Sequence, residues 1–268
     1  MKRRQWIELE DQRWLPESVR NGVTDFLQFA VNRGDVYAGF IPKLLSAISK
    51  TQSPQIVDLC SGGGGPWASI IQSTPEENFS NQVLMTDYFP NLQALRSMQM
   101  RFPTRLSFVS SSVSALNVPA NIPGFRTLFS SFHHFAPDQA KSIIQDAISK
   151  NQGIAIAEST QRHPLMLLYM LLTPALVWLS TPFFKPFRWS RIFWTYVCPL
   201  IPFVVMFDGI VSCLRTYTPQ ELKTLVKDIP GSENFEWDID IIKHGRLPVG
   251  VGYLIGLPKS TGILDKTP

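Results

Sequence analysis

Four consecutive glycines, Gly62 through Gly65, stand between a short apolar run at 55–59 and a helix-like stretch that opens at Pro66. Glycine loses more conformational freedom on folding than any other residue, so four in a row cost more than a plain connector requires. Such a run belongs where backbone must take positive φ or approach a ligand closely, next to a helix N-terminus that offers free N–H groups to an anion. The flanking pattern sets the architecture. Apolar runs at 55–59, 82–86, 106–110, 125–130 and 153–157 alternate with amphipathic stretches at 66–72, 90–101 and 137–150. Alternation of this kind predicts a parallel sheet with helices on both faces, a doubly wound α/β fold. Two further helices precede it, at 16–31 and from residue 42. The alternation breaks at Glu158 and resumes at Thr218, where Thr218 and Glu221 form a capping-box start for a helix through 227. Runs at 235–242 and 250–257 read as two closing strands, an antiparallel pair, which makes seven strands in all.

The glycine loop carries further chemistry. Asp58 ends the strand before it, and Asp87 ends the next strand 29 residues on, where a carboxylate can accept both hydroxyls of a ribose. A dinucleotide fingerprint needs a third glycine three residues after Gly64, where helix and strand pack closely, and that position is Trp67. A phosphate-binding P-loop needs Gly-Lys-Ser/Thr, which the run lacks.

The stretch Asp58-Leu59-Cys60-Ser61-Gly62-Gly63-Gly64 resembles the motif I of class I S-adenosylmethionine (SAM)-dependent methyltransferases. Extended to Gly65-Pro66-Trp67, and with the 8–14 opening and the 208–217 segment, it is similar to a poorly characterised bacterial branch of that superfamily. The resemblance implies a Rossmann-like seven-stranded sheet with SAM as cofactor. It divides the chain into an N-terminal helical cap at 1–50, a SAM-binding domain at 51–160 and 216–258, and a hydrophobic helical insertion at 161–215. By the same likeness Asp58, Cys60, Ser61, Gly62 and Gly64 cradle the methionine half of SAM, and Asp87 binds its ribose. Tyr88 and Ser130 fall on the cofactor side as well. Ser112 stands where many relatives carry the acid that reads the adenine amino group, Val113 would lie against the ring, and Tyr37 would help close the pocket.

His133 and His134 follow the fourth strand, beside the transferable methyl in the family likeness. A histidine with pKa near neutrality suits a general base for a hydroxyl or an acidic carbon. Adjacent residues on an extended chain point to opposite faces, so one histidine at most is expected to do chemistry and no zinc pair is expected. Glu158, at the end of the fifth strand, is a second candidate base or substrate orienter. Asp208 and Tyr217 are candidates for lining the acceptor site, and Cys60 reads as a small loop filler. An Asn/Asp-Pro-Pro-Tyr motif, common in amino-group methyltransferases, does not follow the fourth strand, which favours oxygen or carbon as acceptor atom. The rival readings are an NAD(P)-dependent oxidoreductase on a similar sheet and a non-catalytic, membrane-associated SAM-binding protein.

Composition matters most in the insertion. Residues 163–214 hold four charges, Lys185, Arg188, Arg191 and Asp208, in 52 positions, although 17% of the chain is charged. Two uncharged runs, 164–184 and 192–207, are long or nearly long enough to span a bilayer. Crossing twice would put Lys185, Arg188 and Arg191 on the side the positive-inside rule disfavours, and crossing once would separate two parts of one sheet. Trp178, Trp189 and Trp194 with those cations read as an interfacial belt, so the segment is expected to be a membrane-lying cap or a lid over an apolar substrate. A net charge of +4 is too weak to argue for nucleic acid and suits an acidic membrane surface or an acidic small molecule. Three cysteines, without a CxxC pair, point to a reducing compartment. Met1-Lys2-Arg3-Arg4 resembles a secretory n-region, but Glu8, Glu10 and Asp11 stand where an apolar h-region should follow. The expected location is the cytoplasm, free or on the inner face of the membrane, with a hydrophobic small molecule as substrate.

Overall fold

A computed structural model describes residues 1–259 apart from Gln52, Pro54, Pro186 and His244. Its strands are β1 (Gln55–Asp58), β2 (Gln82–Met85), β3 (Leu106–Phe108), β4 (Phe125–Phe129), β5 (Ile154–Glu158), β6 (Phe235–Lys243) and β7 (Gly250–Pro258). They form one sheet in the order β3-β2-β1-β4-β5-β7-β6. β1 through β5 are parallel, and β7 runs antiparallel to both β5 and β6. The helices are α1 (Glu17–Arg33), α2 (Ile41–Thr51), α3 (Trp67–Ser73), α4 (Leu92–Arg101), α5 (Pro137–Ser149), α6 (Pro164–Ser180), α7 (Trp189–Ile192), α8 (Leu200–Arg215) and α9 (Pro219–Lys227).

The two-residue period of a strand assigns alternate side chains to two cores. Ile56 joins Phe40, Leu44, Trp67 and Leu95 on one face, whereas its neighbour Val57 joins Ile143, Ile144 and Leu225 on the other. Both faces are covered, which is why the central strands are apolar throughout rather than alternating. Trp67 fills the position a dinucleotide site would leave to glycine, fully buried and edge-on to Phe129 at 5.6 Å. The capping box that opens α9 is present: the Thr218 hydroxyl accepts from the Glu221 N–H, and the Glu221 carboxylate accepts from the Thr218 N–H at 2.9 Å. Between β3 and β4 the alternation skips its helix, and residues 109–124 form bends and short turns.

The hydrophobic segment folds as α6, then α7 continued by a π-helical turn (Phe193–Val197), then α8. The Trp189–Val197 piece meets α8 at 76°. A third core joins them to the N-terminal helix through Val19, Val23, Phe26, Val177, Ile201 and Val205. Two members of the expected interfacial belt turn inward instead. Trp194 donates its indole N–H to Ser18 Oγ at 2.9 Å. Arg191 is only 2% exposed, paired with Asp25 of α1 and donating to the Phe184 carbonyl. Long-range partners on α1 decide both cases, and the local pattern does not contain them.

Candidate functional site

The crevice at the carboxyl ends of β1 and β2 is built by backbone. Cys60, Gly62, Gly64 and Gly65 all take positive φ, at 57°, 50°, 104° and 53°. A Cβ added at Gly64 would come within 2.7 Å of Met98, so glycine there is a packing requirement. A Cβ at Gly62 would meet nothing within 4 Å, so this turn borders open space. Asp58, 2% exposed, holds the loop from below: its carboxylate accepts from Ser61 Oγ and Thr127 Oγ1, each at 2.7 Å. Burial pushes its pKa up to about 6 against those two hydrogen bonds. Asp87 closes the rim, accepting from the Gly62 N–H at 2.9 Å and the Phe89 N–H at 2.8 Å. From above, α1 contributes Gln28, whose amide donates to the Gly63 carbonyl at 2.8 Å. Ser112 Oγ donates to the Tyr88 carbonyl at 2.7 Å, and Val113, buried, donates its N–H to the Asp87 carbonyl. Tyr88 is half-exposed beside them. Burial pushes the Cys60 thiol well above its usual range, so it is no nucleophile at neutral pH.

A second set gathers at the ends of β4 and β5. The Tyr37 hydroxyl lies 2.6 Å from Ser130 Oγ, which lies 2.7 Å from Ser159 Oγ. Glu158 grips His133 twice, accepting its backbone N–H at 3.1 Å and its Nδ1–H at 2.6 Å. This fixes the tautomer and leaves Nε2 as the ring's free nitrogen, 3.6 Å from a Glu8 carboxylate oxygen. His134 Nδ1 sits 3.1 Å from Glu8 and 3.4 Å from Asp11. Burial pulls this imidazole down, but the Asp11, Glu8 and Glu10 carboxylates outweigh it and push the pKa up to about 9. Arg215, also buried, completes the cluster with Nη1 3.2 Å from Glu8.

Two expectations change here. His133 and His134 do not diverge: residues Phe132–His134 form a 3-10 turn rather than extended chain, and the two rings stand 4.4 Å apart on one side. Glu8, His133 and His134 bring one ligand atom each to within 4.8 Å of one another, so the geometric argument against a metal pair fails. The Arg215 guanidinium beside Glu8 supplies the positive charge at that point. Asp208 is buried and ties the N-terminal arm to α8: its two oxygens accept the backbone N–H groups of Leu9 at 2.7 Å and Glu10 at 2.9 Å. Tyr217 likewise spends its hydroxyl on the Phe135 carbonyl, with the Arg3 guanidinium 4.0 Å over its ring. Glu8, Arg215 and Ser159 were not singled out by the residue pattern. Glu8 is the most informative omission, a carboxylate with 0% exposure in a segment of exposed neighbours.

No family model and no curated protein matches this chain. Solved structures do. The plantazolicin methyltransferase BpumL in complex with SAH is similar over 93% of this chain and 94% of its own, with 10% identity and a TM-score of 0.56. Human N-acetylserotonin methyltransferase in complex with SAM is similar over 88% of this chain, at 16% identity and a TM-score of 0.50. The pyocyanin biosynthetic protein PhzM gives 87%, 16% and 0.50. The chain spans a little over half the length of the latter two, 56% and 57%. The sheet order with its antiparallel seventh strand, preceded by helices, is therefore the class I SAM-dependent methyltransferase fold.

Proposed function

We propose that this protein is a SAM-dependent methyltransferase that modifies an oxygen or carbon atom of a hydrophobic small molecule. The observation that carries the proposal is the crevice between Asp58 and Asp87, where a left-handed glycine turn borders space that a side chain at position 62 would fill. That cradle fits SAM. The loop from Cys60 to Gly64 would hold the amino-acid end, Asp87 the ribose hydroxyls, and Val113 would pack against the base. Ser112 donates its proton to the Tyr88 carbonyl, so its lone pairs remain to accept from an adenine amino group, in the place of an acid. Two of the similar solved structures contain SAM or SAH, which supports this reading.

When bound, SAM supplies an electrophilic methyl for in-line displacement. The protein's work is alignment and proton handling. Glu158 orients His133 through Nδ1, and Nε2 is the atom that would take an acceptor proton. That nitrogen is covered by the N-terminal arm, since His133 is 3% exposed and Glu8 lies against it. The acceptor therefore has to displace the arm or approach past Ser130. Titration calorimetry with S-adenosylhomocysteine tests the cofactor assignment. Wild type is expected to bind, and Asp87→Ala to bind more weakly by about 1–3 kcal/mol, the usual size for a lost buried hydrogen-bonding partner. Absence of binding to wild type, or tighter binding of NAD(P), would overturn it.

A further inference from the structure

The outer face of the hydrophobic insertion is apolar and open. Fifteen of the twenty-five large apolar side chains exposed among the described residues lie between Leu165 and Phe203. α6 with the turn after it, Pro164–Phe183, is long and apolar enough to cross a bilayer by length and composition, yet only Met166, Thr173 and Val177 of α6 are buried. A helix that is apolar all round is stable where its whole circumference is out of water, and a soluble monomer rarely exposes a continuous patch beyond a few hundred Å². Leu172, Leu179, Phe183 and Trp189 are 58%, 72%, 71% and 78% exposed.

We propose that this face seats the protein in the headgroup and acyl boundary of an anionic lipid bilayer, lying on the membrane rather than crossing it. Charge selects the occupant. From 159 to 207 the sequence has no acidic residue; Lys185 is exposed between the exposed rings of Phe183 and Phe187, and Arg188, 30% exposed, lies 3.9 Å from Asp25 of α1. A second copy of the chain is the competing occupant. A two-fold dimer would set this face against itself, and residues 159–207 of the other copy offer no carboxylate to pair Lys185. Trp178 and Tyr196, both exposed, add large aromatic rings to this face and brace each other's segments: Trp178 Nε1 donates to the Thr195 carbonyl and Tyr196 Oη to the Trp178 carbonyl.

The lying geometry follows from how the segment is anchored. Its inner side is held by the Arg191–Asp25 pair, by Ser212 donating to Glu8 at 2.9 Å, and by Asp208 accepting from Leu9 and Glu10. Standing α6 upright through a bilayer would break the packing of this layer on α1. The inference is independent of methyl transfer, and its test separates the two. Purified protein is mixed with preformed vesicles of phosphatidylcholine, with or without phosphatidylglycerol, and floated on a density gradient. Wild type is expected to float with the anionic vesicles, less so at high salt. The triple variant Leu172→Ser/Leu179→Ser/Trp189→Ser changes only exposed positions. Its vesicle partition is expected to fall by at least about a hundredfold, a lower bound for three lost, partly immersed apolar side chains, with thermal melting and S-adenosylhomocysteine binding unchanged. Wild type that stays in the soluble fraction overturns the proposal. So does a triple variant that floats undiminished, or a wild-type dimer by light scattering that the triple variant converts to a non-floating monomer.

Discussion

His134 shows how a residue's neighbours set its charge. On an exposed chain it would titrate in the ordinary imidazole range. Here burial opposes the proton, while Asp11, Glu8 and Glu10 more than offset it, and the pKa rises to about 9. A pKa raised in the folded state contributes stability that is fully present below the unfolded value near 6.5 and is lost as pH rises through the folded one. Wild type is therefore expected to lose on the order of 2 kcal/mol more than His134→Gln between pH 6 and pH 9, read from urea midpoints at each pH. Equal losses would refute the assignment. The histidines were visible in the sequence because they follow a strand that ends at the crevice. Their shared orientation was not, because it depends on a 3-10 turn, and the turn is held by Glu158, 25 residues further on. Glu8 was hidden for the same reason. It reads as a solvated acid until Arg215 and Ser212, over 200 residues away, close around it.

At the scale of elements, the strands and helices of the sheet were legible because each carries its own signal: buried apolar runs, proline or capping-box starts, and glycines at the first turn. The observed boundaries fall within a few residues of the predicted ones, and the capping box at Thr218 is present atom for atom. The glycine loop permits a sharper test. Gly64→Ala places a Cβ 2.7 Å from Met98 at φ 104°, so it combines backbone strain with a clash and is expected to cost about 2–4 kcal/mol of stability. Gly62→Ala adds a methyl to open space at φ 50° and is expected to cost only about 1–2 kcal/mol, the left-handed penalty. If that space is the cofactor's, Gly62→Ala nevertheless reduces S-adenosylhomocysteine affinity more than tenfold, a ratio calorimetry and thermal melting resolve together. The insertion was legible only as to composition. Its greasiness is local, whereas the inward turn of Arg191 depends on Asp25. Asp25→Ala leaves a buried guanidinium without its carboxylate and is expected to cost about 3 kcal/mol, the low end for a broken buried pair because Asp25 is 22% exposed.

The whole molecule is closed by contacts between segments far apart in the chain. Arg3 donates to the carbonyls of Phe135 and Arg215, Gln5 to that of His134, and the Arg4 N–H to that of Leu214. Asp208 takes the N–H groups of Leu9 and Glu10, so the N-terminal arm, the histidine turn and the end of α8 form one unit. The cofactor loop shares no hydrogen bond with that unit among the described residues; its upper side is held by Gln28 of α1 instead. Asp208→Ala discriminates between the two halves of the site. Losing two hydrogen bonds to a carboxylate, at about 1.5–3 kcal/mol each, is expected to remove amide-exchange protection at Leu9 and Glu10 and at Arg4 behind them. Burial pushes the Asp208 carboxyl up to about 6, so part of that loss is offset at neutral pH by removing a charge that is costly to bury. The net decrease in stability should therefore be smaller at pH 8 than at pH 5, where the wild-type acid is protonated at no such cost. S-adenosylhomocysteine affinity is expected to stay within about twofold of wild type, because among the described residues no hydrogen bond joins the arm to the glycine turn. A parallel fall in affinity would show that arm and cradle are one cooperative unit, and the covered His133 would then belong to the cofactor's half of the site.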